Sequence, residues 1–208
     1  MRKLLLATLL LAVPAAGVTV DRIAAVVDRQ VLTVSEIAQL VEIRFFPRLS
    51  ASDDDSRREV LDALIAQALR FRDVERFGAQ DITADAIEAR VLEIQRRFPS
   101  VGEFAAALAR TELTPEELRS LVKRQLQVEA YIQERFAPLV FVTAEEIEEY
   151  YRTIWSKQRT GRGLAVPPLR DVLEEVRAAV RLARLQSETD RWTAQLRARA
   201  NVDVYAWR

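Results

Sequence analysis

Neither cysteine nor histidine occurs among the 208 residues. Without cysteine there is no disulfide framework, no thiolate nucleophile and no cysteine-based zinc site. Without histidine the Ser-His-Asp and Cys-His systems are excluded, along with the commonest general base at neutral pH and most metal sites. Lysine is scarce: Lys3, Lys123 and Lys157 are the full set, and none stands in an apolar run that would depress its pKa for Schiff-base work. Enzymes built on carboxylates remain open. No metal and no cofactor is expected.

An excess of one charge is lacking too. The 31 basic residues balance 31 acidic ones, and losing Arg2 and Lys3 with a leader would leave about minus two. Arginine and glutamate interleave along every helical stretch, the pattern of solvated helix faces carrying i,i+4 pairs. A phosphate backbone is bound by a surplus of positive charge on one face, so no nucleic acid partner is expected. Nor does any apolar run reach the roughly twenty residues that span a bilayer core. The first run, Leu4 to Val13 broken only by Thr8, follows Arg2 and Lys3 and ends in Pro14-Ala15-Ala16-Gly17. It reads as a secretory signal peptide, residues 1–17, with cleavage after Ala15 or Gly17. The mature chain is then expected on the far side of the membrane, in the periplasm of a Gram-negative cell.

What is present is the material of a soluble, helical protein: 50% apolar and 30% charged residues. Val20-Asp-Arg-Ile-Ala-Ala-Val-Val27 predicts a strand, Asp28-Arg29-Gln30 a tight turn and Val31-Leu-Thr33 a short return strand. Thr33 with Glu36 has capping-box spacing, repeated at Ser100 with Glu103, Thr114 with Glu117 and Thr143 with Glu146. Pro115 occupies the first helical position of its segment. Helices are predicted over 34–46, 57–77, 84–97, a short one around Phe104, 115–136, 143–155 and 169–200. Gly78 is the expected stop of the second. Gly161, Gly163 and the Pro167-Pro168 pair make 156–168 a flexible connector. The last helix spans close to thirty residues, roughly 45 Å. Val202 to Trp207 alternates as a closing strand. Two strands at opposite ends of a helical chain have few partners but each other, so they are expected to pair in a small sheet, giving a mainly α fold.

The stretch Val20 to Ile37 resembles the opening of SurA-type periplasmic chaperones and their PpiD relatives. The helix Leu61-Asp-Ala-Leu-Ile-Ala-Gln-Ala-Leu69, the Glu103-Phe104 and Pro115-Glu-Glu-Leu-Arg119 segments, and Thr143-Ala-Glu-Glu-Ile-Glu-Glu-Tyr-Tyr151 follow in the family's order. The resemblance implies a multi-helix SurA/trigger-factor-like domain that holds unfolded polypeptide, with outer-membrane proteins the expected clients. In longer relatives a parvulin-type prolyl isomerase domain follows the Tyr-Tyr helix. Here a connector too short for a domain of about a hundred residues takes its place, and the histidine on which the family's isomerase relies is missing. The implied organisation is a signal peptide at 1–17 and a SurA-like helical domain at 18–156. A linker at 157–168 and a long helix and strand at 169–208, packing back on the first part, complete it. No isomerisation is expected, and dimerisation by exchange of the terminal elements is open.

A holding chaperone must present apolar surface while staying soluble. Phe45 and Phe46 beside Pro47, Phe98 before Pro99, Phe104, and the cluster Tyr150, Tyr151 and Trp155 are the candidate client contacts. Rings at helical spacing ordinarily pack inward, so the competing assignment for each is core. The acidic pairs Glu116-Glu117, Glu145-Glu146 and Glu148-Glu149 mostly fall in first helical turns, where they complement the helix dipole rather than form acid-base machinery. Asp53-Asp54-Asp55 precedes a helix without an EF-hand pattern and reads as capping. Gly161-Arg162-Gly163 lacks the ending of a phosphate loop and reads as linker. Two other classes stay open: a structural or adaptor protein that uses the same stripes against one partner or a second copy, and a residual isomerase or another enzyme.

Overall fold

The structure, a computed structural model, describes residues 21–47 and 52–205; the expected signal peptide lies outside them. Strands β1 (Ile23–Val27) and β2 (Gln30–Thr33) form an antiparallel hairpin with Val27 opposite Gln30. Asp28 takes a positive φ of 53° to close the turn, a conformation that aspartate tolerates better than most residues. Strand β3 (Val202–Val204) pairs antiparallel with the other edge of β1, Ala25 facing Val204, so the sheet order is β2-β1-β3. The first and last strands of the described residues therefore pair as the sequence predicts. Asn201 fastens the junction, its N–H donating to Asp28 Oδ1 at 2.9 Å while its carbonyl accepts from the Asp28 N–H at 2.7 Å.

Among the described residues everything else regular is helical, and the capping signals mark the starts. Thr33 Oγ1 accepts from the Glu36 N–H at 3.2 Å at the head of α1 (Val34–Glu42). Ser52 caps α2 (Asp53–Phe77), Thr83 caps α3 (Ala84–Gln95) and Ser100 caps α4 (Val101–Thr111). Full reciprocal boxes, Thr114 with Glu117 and Thr143 with Glu146, open α5 (Pro115–Arg135) and α6 (Ala144–Tyr150). The three aspartates 53–55 form the first turn of α2, so that helix begins four residues before the predicted Arg57.

Other boundaries also differ from the sequence reading, two of them for clear physical reasons. α1 stops at Glu42 instead of Phe46, because Arg44 adopts φ 52° and the chain turns in a Schellman motif. The Phe45 N–H donates to the Leu40 carbonyl and the Arg44 N–H to the Val41 carbonyl, both at 3.0 Å. The apolar pair Leu40 and Phe45, both buried, supplies the contact that accompanies such a motif. The second difference lies at the connector expected from residue 156. There the helix runs on through a π turn (Tyr151–Trp155) into α7 (Ser156–Gly161), and only 162–168 is without helix. Thr160 Oγ1 donates to the Ser156 carbonyl at 3.0 Å, supporting the extra turn.

The final helix α8 (Leu173–Arg199) is 27 residues, about 40 Å at 1.5 Å per residue. It links two apolar clusters. The larger is built from the sheet, α1, α2 and α5, with Leu32, Ile37, Ile65, Leu69, Leu118 and Val122 fully enclosed, and the C-terminal end of α8 packs against it through Leu196 and Ala200. The smaller is made by Ile147, Trp155, Val176 and Val180, where α6 and the π turn lie on the N-terminal half of α8. Between them Trp192 of α8 packs on Tyr131 and Phe136, ring centroids 5.5 and 5.4 Å away, and its indole N–H donates to Asp73 at 3.2 Å. No helix among the described residues is long and apolar enough to cross a membrane.

Candidate functional site

The Schellman turn after α1 decides where the first two candidate rings go. By ending the helix early it swings Phe45 and Phe46 off the α1 axis, and the two rings meet edge to face at 5.1 Å. They close one end of a cavity of about 360 Å³ between α1, α2 and α5. Leu64, Ala68 and Phe71 line it from α2, and Leu121, Val128 and Ile132 from α5. These recur at three and four residues because each helix turns one apolar face to the other.

Polar groups enter at defined points. Gln67 lines the cavity from α2 and Gln125 from α5, with Glu36, Arg70, Arg124 and Glu129 beside them. Arg70 reaches across to α8, its Nε donating to Thr193 Oγ1 at 2.6 Å. Glu129 is clamped by Arg90 through two hydrogen bonds of 2.9 and 2.8 Å, which hold the Arg90 guanidinium above its ordinary pKa. Burial pushes the Glu36 carboxyl up, with the Asp21 charge adding to it, while the Thr33 backbone and Arg124 pull the other way.

The next two candidate rings adjoin this corner. Phe98 and Phe104 lie 5.5 Å apart, and the Arg44 guanidinium sits 4.7 Å over Phe98. Arg44 donates to the Arg97 carbonyl and Arg97 donates back to the Arg44 carbonyl at 2.6 Å and to that of Phe45. The helix 3–4 junction is thereby tied to the turn that aims Phe45 and Phe46.

Tyr150, Tyr151 and Trp155 lie apart from these four, in the smaller cluster. Tyr151 and Trp155 stack at 5.6 Å, Arg159 lies 4.8 Å over the Trp155 ring, and the Tyr151 hydroxyl donates to the Pro167 carbonyl at 2.6 Å. Tyr150 borders a second, shallower hollow between α6 and α8, shared with Ile154 and Val180 and edged by Glu145, Glu146, Glu149 and Arg184. The seven rings thus form two groups, not one surface. Phe45, Phe104 and Trp155 give nearly all of their area to the clusters, while Phe46, Phe98, Tyr150 and Tyr151 are half-buried.

Sequence reasoning passed over the polar pair Gln67 and Gln125, because glutamine on a helix carries no spacing signal. It also passed over Leu139 and Phe141, 69% and 82% exposed. Among the described residues no group of three or more acidic residues is placed to hold a metal ion. The cavity is thus an apolar trough with amide and charged side chains among its lining.

No protein-family model matches the chain. Curated relatives do. The protein named Chaperone SurA from Alkalilimnicola ehrlichii is 30% identical over 160 residues, covering 73% of this chain and 36% of that one. Chaperone SurA from Pseudomonas putida is 30% identical over 148 residues, 67% of this chain and 34% of the relative. Chaperone SurA from Pseudomonas syringae pv. tomato is 32% identical over 145 residues, with 67% and 34% covered. The chain spans about a third of the length of the curated relatives it matches. Across that matched part the chain is SurA-like in sequence, in agreement with the resemblance carried by its opening strand, capped helices and Tyr150-Tyr151 segment.

Proposed function

We propose that this chain is a holding chaperone that binds unfolded or extended polypeptide in the periplasm, outer-membrane proteins among its clients, and performs no prolyl isomerisation. The observation that carries the reading is the apolar trough between α1, α2 and α5, closed by Phe45 and Phe46 and set in a heavily charged exterior. The likeness to proteins named Chaperone SurA supports it. In this reading 18–156 and 169–208 form one chaperone body and 157–168 joins them. Phe46 and Phe98, together with the exposed edges of Tyr150 and Tyr151, meet the client, while Phe45, Phe104 and Trp155 position those rings from beneath.

The test is suppression of aggregation by the purified mature chain, titrated against an unfolded outer-membrane porin and an unrelated denatured protein. Suppression of both near stoichiometric ratios is expected of a general holdase. Suppression of the porin alone narrows the role to outer-membrane proteins, and no effect on either rejects holding in favour of an adaptor with one partner. A prolyl isomerase assay on a short peptide is expected to stay at background. A second reading, a dimer that exchanges α8 and β3, draws on the β1–β3 pairing, since an exchanged strand would keep the same register. A single monomeric species in sedimentation removes it.

A further inference from the structure

The hollow between α6 and α8 and the segment that follows α7 are both apolar at heart and opposite in charge, yet they do not meet within one chain. The hollow measures about 530 Å³, inside the range of roughly 300–1,000 Å³ typical of binding clefts. Tyr150, Ile154 and Val180 give it apolar walls, and its rim carries Glu145, Glu146 and Glu149 against the single cation Arg184. Arg184 is already paired with Glu146. Glu145 has no ion-pair partner among the described residues, so the rim is left negative.

The segment 162–170, Arg-Gly-Leu-Ala-Val-Pro-Pro-Leu-Arg, has the opposite character. Its main chain is pinned. The Leu164 N–H donates to the Arg159 carbonyl at 2.9 Å, Arg159 Nε to the Ala165 carbonyl at 2.9 Å and the Tyr151 hydroxyl to the Pro167 carbonyl at 2.6 Å. Its side chains are left uncovered: Leu164, Ala165, Val166 and Pro168 all stand exposed. A run of exposed apolar residues is a liability unless it serves as an interface. Arg162 at one end is exposed and has no ion-pair partner among the described residues. Arg170 at the other is 83% exposed and paired only with its neighbour Asp171, at 3.4 Å. The pinned backbone and the two prolines leave little freedom to lose on docking.

No residue of 162–170 lines the hollow of its own chain. The two features nonetheless lie side by side, because Tyr150 lines the hollow and Tyr151 holds the segment. A face that carries both halves of a contact is self-complementary, and two copies related by a two-fold axis fill both hollows at once. We infer that two copies of this chain pair through this face, each laying Leu164 to Pro168 in the α6–α8 hollow of the other, with Arg162 and Arg170 against the glutamate rim. The contact is small, which places it in the weak, reversible class. It needs no exchange of α8 or β3, and it does not rest on the polypeptide-holding reading. It covers Tyr150, so a client that uses this ring competes with the second copy.

The experiment is sedimentation velocity of the full mature chain over a range of concentrations, at low and high salt. Wild type is compared with the double variant Arg162→Glu, Arg170→Glu, which makes the segment acidic, and with Glu145→Arg, Glu149→Arg, which makes the rim basic. Wild type is expected to shift from monomer toward dimer as concentration rises, and less so in high salt. Each variant alone sets like charges together and is expected to self-associate at least about tenfold more weakly. An equimolar mixture of the two variants restores both contacts and is expected to dimerise as wild type does. Wild type that stays monomeric, or a dimer that neither variant weakens, would overturn the inference; the second result would point to exchange of α8 and β3. Weakening in both variants without recovery in the mixture overturns it as well. Should a variant not fold, a synthetic peptide of residues 162–170 decides: it dissociates the wild-type dimer, or the inference falls.

Discussion

The two apolar clusters are built on different plans. The larger draws on both ends of the chain: the β1–β3 pairing, α1, α2, α5 and the tail of α8 enclose one another, so residues far apart in sequence must be placed together before any is buried. The smaller is local, with α6, the π turn and α7 folded onto the first half of α8 around Trp155. What they share is α8, tied to the larger body by Trp192 and Thr193. The trough is lined by elements of the larger cluster, so loosening of the Tyr150–Trp155 region is expected to leave it undisturbed.

The two clusters are separated most directly by emptying each in turn. Ile65→Ala in the larger is expected to cost about 4 kcal/mol and to shift the whole urea transition, because Ile65 is fully buried. Val176→Ala in the smaller is expected to cost about 2 kcal/mol. Its effect should be seen by hydrogen exchange as faster opening of α6 and the head of α8, with α2 amides unchanged. Equal acceleration of both sets would mean one cooperative unit and would end the distinction.

A milder probe uses the same chemistry in both places. Thr114→Ala and Thr143→Ala each remove a reciprocal capping box, at about 1 kcal/mol. The first is expected to lower the global midpoint and the second only local protection around α6.

The smallest expected effect is a titration. Burial raises the Glu36 carboxyl above its ordinary range, so the folded chain holds that proton more tightly than the unfolded one does. Stability from this group is therefore full in acid and is lost as pH rises through the raised value. Glu36→Gln should accordingly be slightly more stable than wild type at neutral pH, with the gain vanishing below the ordinary carboxylate range. A gain constant with pH would assign it to something other than ionisation.

Most of the fold was legible in the sequence because its signals are local. Thr114, Pro115 and Glu117 specify a helix start by their own hydrogen bonds, and the pairing of terminal strands followed from a lack of other partners. The end of α1 was not legible. Pro47 is a visible stop, but Arg44 in a left-handed conformation is held by contacts from Arg97 and Phe98, more than fifty residues away. Residues 156–161 misled for the opposite reason: glycine at 161 and 163 ends a helix as readily as it makes a linker. Of the candidate rings, Phe45 and Phe46 were found by their place beside a proline. Their grouping with Gln67 and Gln125 depends on how α2 and α5 cross, which no spacing encodes.

Photo-cross-linking tests at the residue level whether the trough between α1, α2 and α5 holds unfolded polypeptide. A benzophenone side chain at position 46, which lines the trough, and another at position 182, exposed on α8, are each incubated with an unfolded porin and illuminated. Capture from position 46 with little from position 182 is the expected result. Capture from 182 alone, or equal and weak capture from both, would contradict the account.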